Sequence, residues 1–461
     1  MTRLFSHFIP TTLIAIFAVE AVVLALCVPL GAHIRFFAEG GPHVQLIWPT
    51  VAFVAVMLAV MASFGLYSQD LPTGNFAMVV LLGATFLAGL CAISVVFYLL
   101  PDFSLGRGVF ALAWLCALVL VMCARLAFLH FWSRLDGLAR RILVLGTGPW
   151  ASLLDGIERS PHGAQFCIVG FVTVQGSECC VPASRILSVE HTIPDMVRRY
   201  AIDEVVIAVN DRRGGRLPLM ELLECKLRGV EVTELSSFYE RERGQLQIDS
   251  MTTSWIVFGG GFHNNRPHEI VKAAFDITAA ALLLLLALPV MLLSALAIIL
   301  EDGFPVIYRQ ERVGLHGKMF DIIKFRSMRK DAESEGGPCW ATPRDCRVTR
   351  VGRFLRMLRI DELPQAINVL QGDMSFVGPR PERPAFVKEL EKRIPYYPVR
   401  HSVKPGITGW AQVRFPYSGT VEGAAEKLQY DLYYVKNRSL FLDIMIVIET
   451  IGVVLMGKGS R

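Results

Sequence analysis

An acidic pair stands among arginines in the stretch RIDELPQAINVLQGDMSFVGPRPERP, residues 359–384. Asp361 and Glu362 form the pair, Arg356 and Arg359 precede it, and Arg380 follows it. A carboxylate close to guanidinium groups is expected to stay ionised, and an ionised aspartate can attack phosphorus. The adjacent glutamate could help to hold Mg²⁺, and arginine offers a planar fork to phosphate oxygens. The combination indicates a phosphoryl-transfer site.

The same residues also predict a local structure. Pro364 is tolerated in the first turn of a helix, so Asp361 is predicted to be the N-cap of a helix that follows it. Leu363, Ile367 and Leu370 would then form its apolar face. A simpler alternative stays open on spacing alone, namely a capped helix with a solvated acid beside it.

Several further polar residues are candidates near this pair. Gln365 and Asn368 lie three residues apart, which places them on one helix face as supporting groups. Histidine titrates near neutrality, so a histidine could serve in acid–base chemistry or simply lie in a solvated loop. The sequence leaves a site role and a structural role open for His316, His401 and Trp410, and Asp431 could either cap a helix or orient a basic residue of the site.

Composition limits the class of protein. The chain has 461 residues, of which 53% are hydrophobic and only 19% charged, with a mean hydropathy of +0.45. These values predict a membrane protein with a soluble portion and two or three domains. The net charge of +5 is too modest to suggest nucleic-acid binding. Ten cysteines occur without C-x-x-C spacing, so reduced thiols and no cysteine metal site are expected.

Long apolar segments dominate the first third of the chain. Four of them are long enough to cross a bilayer, at residues 11–31, 46–67, 76–100 and 109–132. They predict a four-helix transmembrane domain over 1–135. Glu20 and Arg125 are the charges within them. Arg125 is expected to reach toward the headgroups, whereas Glu20 has no partner that the sequence identifies.

Basic residues predict the orientation of these segments. Arg134, Arg140 and Arg141 follow the fourth segment, while the loops 32–45 and 101–107 carry one arginine each. By the positive-inside rule, the chain beyond residue 134 is expected to be cytosolic.

Residues 140–250 alternate between short apolar runs and helix-like stretches. The runs are RILVLGTG (141–148), FCIVGFV (166–172) and IDEVVIAV (202–209), and they predict a parallel, Rossmann-like α/β domain. GTGPWA, from residue 146, resembles the dinucleotide-binding fingerprint. Because this match stands alone, a structural or regulatory domain is the favoured interpretation.

A fifth apolar run, residues 273–300, contains Pro289. It could be a kinked transmembrane helix or a re-entrant hairpin, and composition alone does not decide between them. Residues 309–359 hold 13 Lys or Arg against six Asp or Glu, which favours the cytosolic side. The last apolar stretch, 440–456, contains two acids and is predicted to be interfacial or core.

Long motifs in the last 190 residues resemble a known family. They are the fifth apolar run followed by EDGFPVIYRQERVGLHGKMFDIIKFRSM, then DCRVTRVGRFLRMLRIDELPQAINVLQGDMSFVGPRPERP, KPGITGWAQV and KLQYDLYYVKNRSLFLDI. Residues 270–461 thereby resemble the bacterial sugar transferases, also called polyprenyl-phosphate hexose-1-phosphate transferases or monotopic phosphoglycosyl transferases. The front half is similar to the long exopolysaccharide-type members.

The resemblance implies a reaction at the inner membrane. A cytosolic UDP-sugar gives its sugar-1-phosphate to undecaprenyl phosphate, UMP leaves, and exopolysaccharide synthesis begins. Asp361 is implied to be the nucleophile, with Glu362 and Mg²⁺ beside it. The residues implied to contact phosphate or to support the site are Lys324, Arg326, Arg356, Arg380 and Gln365. The family's re-entrant helix breaks at a proline that corresponds to Pro289.

The expected fold class is therefore a membrane protein with three parts. These are a four-helix transmembrane bundle, a Rossmann-like domain, and a mainly helical monotopic catalytic domain over 268–461 with a re-entrant helix. The expected partners are the UDP-sugar and the lipid, with no nucleic acid, and a homodimer is a further expectation.

Two alternative functions remain. A membrane-bound sugar-nucleotide dehydratase needs a Y-x-x-x-K pair, and no tyrosine here has Lys four residues later. A non-catalytic scaffold of polysaccharide assembly would tolerate loss of the acidic pair, which is intact here.

Overall fold

The computed structural model divides into two compact units. The described residues are 2–4, 7–37, 46–68, 74–132, 139–158, 166–174, 179–187, 192–209, 217–251, 253–258, 260–262, 266–329, 347–415 and 420–455. The front unit comprises Met1–Thr2, Phe8–Met61 and Gly65–Thr253, and the C-terminal unit comprises Arg3–His7, Ala62–Phe64 and Ser254–Arg461. The three predicted domain boundaries are finer than this division and stay predictions.

Apolar helices begin the chain, after two short strands, β1 (Thr2–Leu4) and β2 (His7–Ile9). The helices are α1 (Thr11–Arg35), α2 (Ile47–Ser63), α3 (Asn75–Leu99) and α4 (Arg107–Trp132). In the described part of the chain, four helices are long and apolar enough to cross a membrane, namely α1, α3, α4 and a later helix, α10 (Arg266–Asp302). The predicted second segment forms only 17 residues of helix, at the short end of what a bilayer needs. The protein is thus membrane-associated.

Two buried charges meet between α1 and α4, which corrects the expectation for both. Arg125 does not reach outward but is 2% exposed, and its Nε lies 2.5 Å from Oε1 of Glu20. Its Nη1 donates to the Leu66 carbonyl at 2.9 Å, and Tyr67 donates its hydroxyl to Glu20 at 2.7 Å. Because the two residues form an ion pair, neither charge lies in the apolar bundle without a partner of opposite sign. The sequence could not show this partner because 105 residues separate the two.

A parallel sheet follows, as predicted, and it has five strands. Its strands, in spatial order, are β5 (Ile186–Leu187), β4 (Phe166–Val172), β3 (Arg140–Leu145), β6 (Glu204–Ile207) and β7 (Glu231–Glu234). The helices of this region are α5 (Pro149–Glu158), α6 (Ile193–Arg199), α7 (Leu219–Leu227) and α8 (Leu235–Arg243). Hydrophobic clusters cover both faces of the sheet, which explains the nearly continuous apolar runs of β3, β4 and β6. The sequence did not predict β5 or β7, since β5 has two residues and β7 reads EVTE.

The glycine turn after β3 is tightly packed. Gly146 has φ +120°, and a Cβ there would lie 2.5 Å from the Ala208 carbonyl oxygen. The next residue, Thr147, accepts a hydrogen bond from the Cys180 backbone N–H at 2.7 Å. Close approach of the neighbouring strand therefore accounts for the first glycine of GTGPWA without a ligand.

The C-terminal unit contains α9 (Thr253–Phe258) and α10, which has 37 residues. The helix continues through Pro289 and does not end there, in contrast to the break implied by the resemblance. Proline is tolerated inside a long apolar helix when neighbouring groups satisfy the freed carbonyl. The re-entrant path of this helix stays a prediction.

The remaining elements pack beside α10. They are β8 (Ile307–Val313), β9 (Met319–Phe325), α11 (Arg350–Met357), α12 (Gln365–Gln371), β10 (Ser375–Val377), α13 (Pro384–Arg393), β11 (Gly406–Thr408), α14 (Trp410–Arg414), α15 (Val421–Asn437) and α16 (Leu440–Leu455). Strands β8 and β9 form an antiparallel hairpin, and β10 pairs with β11 in parallel. A shared apolar core of Ala280, Ile322, Ala366 and Val369 fixes α10, β9 and α12 against one another. In α16, Leu442 and Ile446 are fully buried while Ile451 is half exposed, consistent with the amphipathic pattern.

Candidate active site

The acidic pair lies in a separate turn and not at a helix N-cap. Arg359 has φ +54° and starts a 3₁₀ turn over Ile360–Glu362, after which α12 begins at Gln365 with Pro364 at its N-cap position. No side chain caps either element. The predicted capping role of Asp361 is therefore wrong, because the left-handed residue at 359 interrupts the helical path.

The buried face of α12 also differs from the prediction. Leu370 is 44% exposed, whereas Gln365 and Asn368 are each 1% exposed. Asn368 accepts a hydrogen bond from the Ile323 N–H at 2.9 Å and donates to the Asp321 carbonyl at 2.8 Å. These two bonds tie α12 to β9 on both sides of residue 322, so Asn368 supports the strand that carries Lys324. Polar side chains can occupy a buried face when they satisfy backbone groups in this way.

Gln365 lies three residues beyond Glu362 and is buried. Among the described residues its Nε2 has no hydrogen-bond partner. A buried amide donor without a partner is unusual and suits a position where another polar group binds.

Glu362 is held between two cations. Arg380 donates to both carboxylate oxygens, with Nη2 at 2.7 Å from Oε1 and Nη1 at 3.3 Å from Oε2. Lys324 Nζ lies 3.7 Å from Oε1. Burial opposes ionisation of Glu362, but Arg380 and Lys324 outweigh it and hold the pKa of this carboxyl well below its usual range. Burial also lowers the pKa of Lys324 to about 8, against the opposing charge of Glu362.

Asp361 is the less constrained member of the pair. Burial raises its pKa, the negative charge of Glu362 raises it further, and Lys324, Arg356 and Arg380 act in the opposite sense. Burial and the neighbouring carboxylate together outweigh the cations in the direction of this shift, and the ionised state expected for Asp361 stays a prediction. Within the described ranges, the Asp361 carboxylate makes no hydrogen bond or ion pair. The Glu362 carboxylate is thus held by Arg380 and Lys324. The Asp361 carboxylate is open, in the sense that it has no bonded partner among the described residues.

The structure brings together most of the residues implied by the resemblance. Lys324, Arg356 and Arg380 all act electrostatically on Asp361. The side chain of Arg356, on α11, has no hydrogen bond or ion pair within the part of the chain that is described. Its guanidinium is therefore available to an anion.

Arg326 lies at a different place. It donates to the carbonyls of Asp302 and Gly303 at 3.1 and 2.5 Å, where α10 ends, and pairs with the Asp302 carboxylate at 3.2 Å. These bonds satisfy the last carbonyls of the long apolar helix. Its Nη1 has no partner among the described residues, and its contact with phosphate stays a prediction.

The remaining candidates have structural surroundings. His316 has φ +53° in the turn between β8 and β9. Burial lowers the pKa of His401 to about 4, and the charge of Arg400 lowers it too, so this imidazole is neutral at pH 7. Trp410 is 3% exposed and lies under the Arg414 guanidinium, 4.5 Å from its ring centroid, which supports the core interpretation.

Asp431 orients a basic residue, one of the two roles left open by the sequence. It pairs with Arg400 at 2.8 Å, and both side chains are almost fully buried. Arg400 in turn donates to the backbone carbonyl of Arg380 at 2.9 Å. Arg400 was not singled out from the sequence, where it is one arginine among many.

The donor set at this site fits a particular kind of metal. Asp361 and Glu362 supply adjacent carboxylates, while no group of three or more His, Cys, Asp or Glu side chains forms a metal cluster within the described part of the chain. Mg²⁺ commonly binds through one or two carboxylates and completes its shell with water and substrate phosphates. The open carboxylate of Asp361 suits that mode.

Residues 267–457 match the family model described as bacterial sugar transferase. An undecaprenyl-phosphate glucose phosphotransferase of Komagataeibacter xylinus is 32% identical over 395 residues, which cover 77% of this chain and 70% of that protein. A UDP-N-acetylgalactosamine-undecaprenyl-phosphate N-acetylgalactosaminephosphotransferase of Aeromonas hydrophila is 42% identical over 240 residues, 52% of this chain.

A third relative matches a shorter part of the chain. The UDP-glucose:undecaprenyl-phosphate glucose-1-phosphate transferase of Escherichia coli (strain K12) is 46% identical over 186 residues, which cover 40% of each chain. The alignments thus span 56% of the Aeromonas protein and 40% of the E. coli protein. The range that matches the family model, 267–457, includes the acidic pair and its cations.

Proposed function

This chain belongs to the bacterial sugar transferase family, and we propose from that premise that it transfers a sugar-1-phosphate from a UDP-sugar to undecaprenyl phosphate. UMP is released, and the lipid diphosphosugar starts the assembly of an exopolysaccharide. The observation that carries the proposal is the open carboxylate of Asp361 beside the fixed carboxylate of Glu362. A nucleophile must be free to approach phosphorus, and of the two only Asp361 is.

The proposed reaction has two displacements at one phosphorus atom. In the first, an Asp361 oxygen forms a bond to the sugar-bearing phosphorus, and the bond from that phosphorus to UMP breaks. In the second, an oxygen of undecaprenyl phosphate attacks the same phosphorus and Asp361 leaves as a carboxylate. One phosphate pocket serves both steps, and ping-pong kinetics follow.

The cations have separate tasks in this proposal. Arginine has five N–H donors, and Arg380 uses two of them on Glu362, which leaves others for phosphate oxygens. Arg356 and Lys324 add positive charge near Asp361. Charge that develops on the phosphoryl oxygens and on the departing UMP is stabilised by such preorganised donors.

Mg²⁺ is the proposed metal, held by Asp361 and Glu362. When bound, it would neutralise the diphosphate of the donor and make it easier for UMP to leave. Glu362 is fixed by Arg380 before any metal binds, and so keeps the pair oriented.

The membrane arrangement is proposed from the apolar surface of the C-terminal unit. On α11, Phe354 and Met357 are about half exposed, and each directly follows an arginine, Arg353 and Arg356 respectively. Apolar side chains beside cations suit the boundary of a leaflet with anionic headgroups. We infer that α10 is re-entrant, that the catalytic unit lies on the cytosolic face of the inner membrane, and that the sheet domain is Rossmann-like.

Substitution of the nucleophile tests the proposal. The Asp361→Asn protein should release no UMP from any UDP-sugar, while wild type should do so in the presence of Mg²⁺. Relatives act on glucose and on N-acetylgalactosamine, so UDP-glucose and UDP-N-acetylgalactosamine are the first donors to compare. UMP release that survives the substitution would contradict the assigned nucleophile.

A further inference from the structure

The segment that carries Arg380 has few backbone N–H donors with which to fix its own conformation. It reads VGPRPE, residues 377–382, and its two prolines have no backbone N–H. Short bonds to β11 fix part of it, since Gly378 N–H donates to Thr408 at 2.8 Å and Gly406 N–H donates to Pro379 at 3.0 Å. Beyond Pro379 no regular ladder continues, so the carbonyls need other partners.

Side chains supply partners for several carbonyls of this segment. The Val377 carbonyl accepts from Tyr434 at 3.0 Å, the Arg380 carbonyl from Arg400 at 2.9 Å, and the Pro381 carbonyl from Arg312 at 3.2 Å. Cationic donors make stronger hydrogen bonds than neutral ones. Among these three donors, Arg400 is the one that bonds the backbone of Arg380, the residue whose side chain binds Glu362.

Arg400 is itself fixed on every side. Its Nε and Nη2 donate to one oxygen of Asp431 at 3.1 and 2.8 Å, and its Nη1 donates to the Tyr397 hydroxyl at 2.9 Å. Arg400 and Asp431 are each 2% exposed. Asp431 comes from α15, so the pair ties that helix to the 377–382 segment. A fixed arginine fork gives a geometry that a lysine cannot reproduce.

We propose that Arg400 and Asp431 are positioning residues for the transfer reaction. They hold the Arg380 backbone, so that its guanidinium stays on Glu362 and presents its remaining donors to the donor phosphate. The pair need not touch substrate, and it acts through Arg380. This inference rests on the proposed function.

A purely structural role is the rival interpretation. A buried ion pair contributes little net stability compared with an apolar replacement, so stability alone gives a weak reason for one here. Positioning predicts something more specific. The effect of changing Arg400 should depend on whether the Arg380 side chain is present.

A double-mutant cycle measures that dependence. Arg400→Lys should lower kcat for UMP release by about tenfold to a hundredfold, the range typical of residues that orient catalytic groups. The KM for the UDP-sugar should change less, because Lys324 and Arg356 still attract the phosphates. In an Arg380→Ala background the same substitution should change kcat by no more than about twofold, the usual error of additivity.

Arg414→Lys is the matched control. Arg414 pairs with Glu449 at 2.6 Å, and both are about one-fifth exposed. It lies in the same unit but bonds no atom of the 377–382 segment among the described contacts. Its kcat should match that of wild type, and its melting temperature shows what the loss of an arginine fork does to folding.

The outcomes of the cycle distinguish a positioning role for Arg400 from a purely structural role. Equal kcat losses in both backgrounds would mean that Arg400 acts independently of Arg380, which would overturn the proposal. If Arg400→Lys does not fold, Asp431→Asn enters the same cycle, and failure of both to fold would show a structural role instead. Turnover retained in Asp361→Asn would contradict the proposed function, whatever the cycle shows.

Discussion

Replacing Glu362 with glutamine removes the negative charge between two cations without changing the size of the side chain. Arg380 binds both carboxylate oxygens, at 2.7 and 3.3 Å, and Lys324 Nζ lies 3.7 Å away. Glutamine can still accept one bond through its amide oxygen. Its amide nitrogen is a donor and would face the donors of Arg380, so the second bond is lost.

The size of the effect follows from these contacts. A hydrogen bond to a charged group contributes about 1.5–3 kcal/mol, and Arg380 is also released from the position that it needs in the reaction. A loss of about 3 kcal/mol in transition-state stabilisation corresponds to roughly a hundredfold decrease in kcat/KM. The predicted decrease in UMP release is therefore about a hundredfold.

The assay compares Glu362→Gln with Glu449→Gln in the same membrane preparation. Glu449 pairs with Arg414 at 2.6 Å and is similarly shielded, but it lies in α16, away from Asp361 in sequence and in its described contacts. Glu449→Gln should keep wild-type kcat/KM. If the Glu362→Gln protein folds and turns over as fast as the Glu449→Gln protein, the assigned role of the Glu362–Arg380 pair is refuted.

Two further predictions concern stability. Glu20→Gln leaves the charge of Arg125 unpaired in the apolar bundle and should lower the free energy of unfolding by about 3–5 kcal/mol. Adding Arg125→Gln should restore much of that loss. A denaturant titration measures both effects, and no loss of stability in Glu20→Gln would contradict the ion pair. Burial, and then the charge of Arg414, lower the pKa of His7 to about 4, so the folded protein keeps this ring neutral. The contribution of His7 to the free energy of unfolding is complete above the pKa of about 6.5 that this group has in the unfolded chain. That contribution decreases as pH falls toward 4, by about 1.4 kcal/mol per pH unit. The melting temperature of wild type should therefore fall more between pH 7 and pH 5 than that of His7→Gln, and parallel falls would contradict the burial of a neutral His7.

Regular patterns in the sequence predicted much of the fold. Strands β3, β4 and β6 were predicted from apolar runs, because a parallel sheet covered on both faces requires them. The long apolar helices were predicted from the length of their apolar runs, because about 20 such residues are needed to cross a bilayer. Strand β7 was missed because EVTE lies at the sheet edge and has no apolar run.

The site was predictable in its residues but not in its local geometry. Asp361, Glu362, Lys324 and Arg380 converge because motifs from β9, the 3₁₀ turn and the end of β10 meet. The capping role predicted for Asp361 failed at Arg359, whose left-handed backbone has no signature in the sequence. Contacts between residues far apart in the sequence could not be predicted either. Nothing in the order of residues pairs Arg400 with Asp431, because helix packing alone brings them together.

Trapping the covalent intermediate tests the central claim most directly. Wild-type protein incubated with Mg²⁺ and a UDP-sugar that it accepts, without undecaprenyl phosphate, should gain the mass of one sugar phosphate on the peptide that contains Asp361. Adding undecaprenyl phosphate should remove that mass, and Asp361→Asn should never acquire it. UMP release that requires the lipid, or an adduct that persists in Asp361→Asn, would contradict the account.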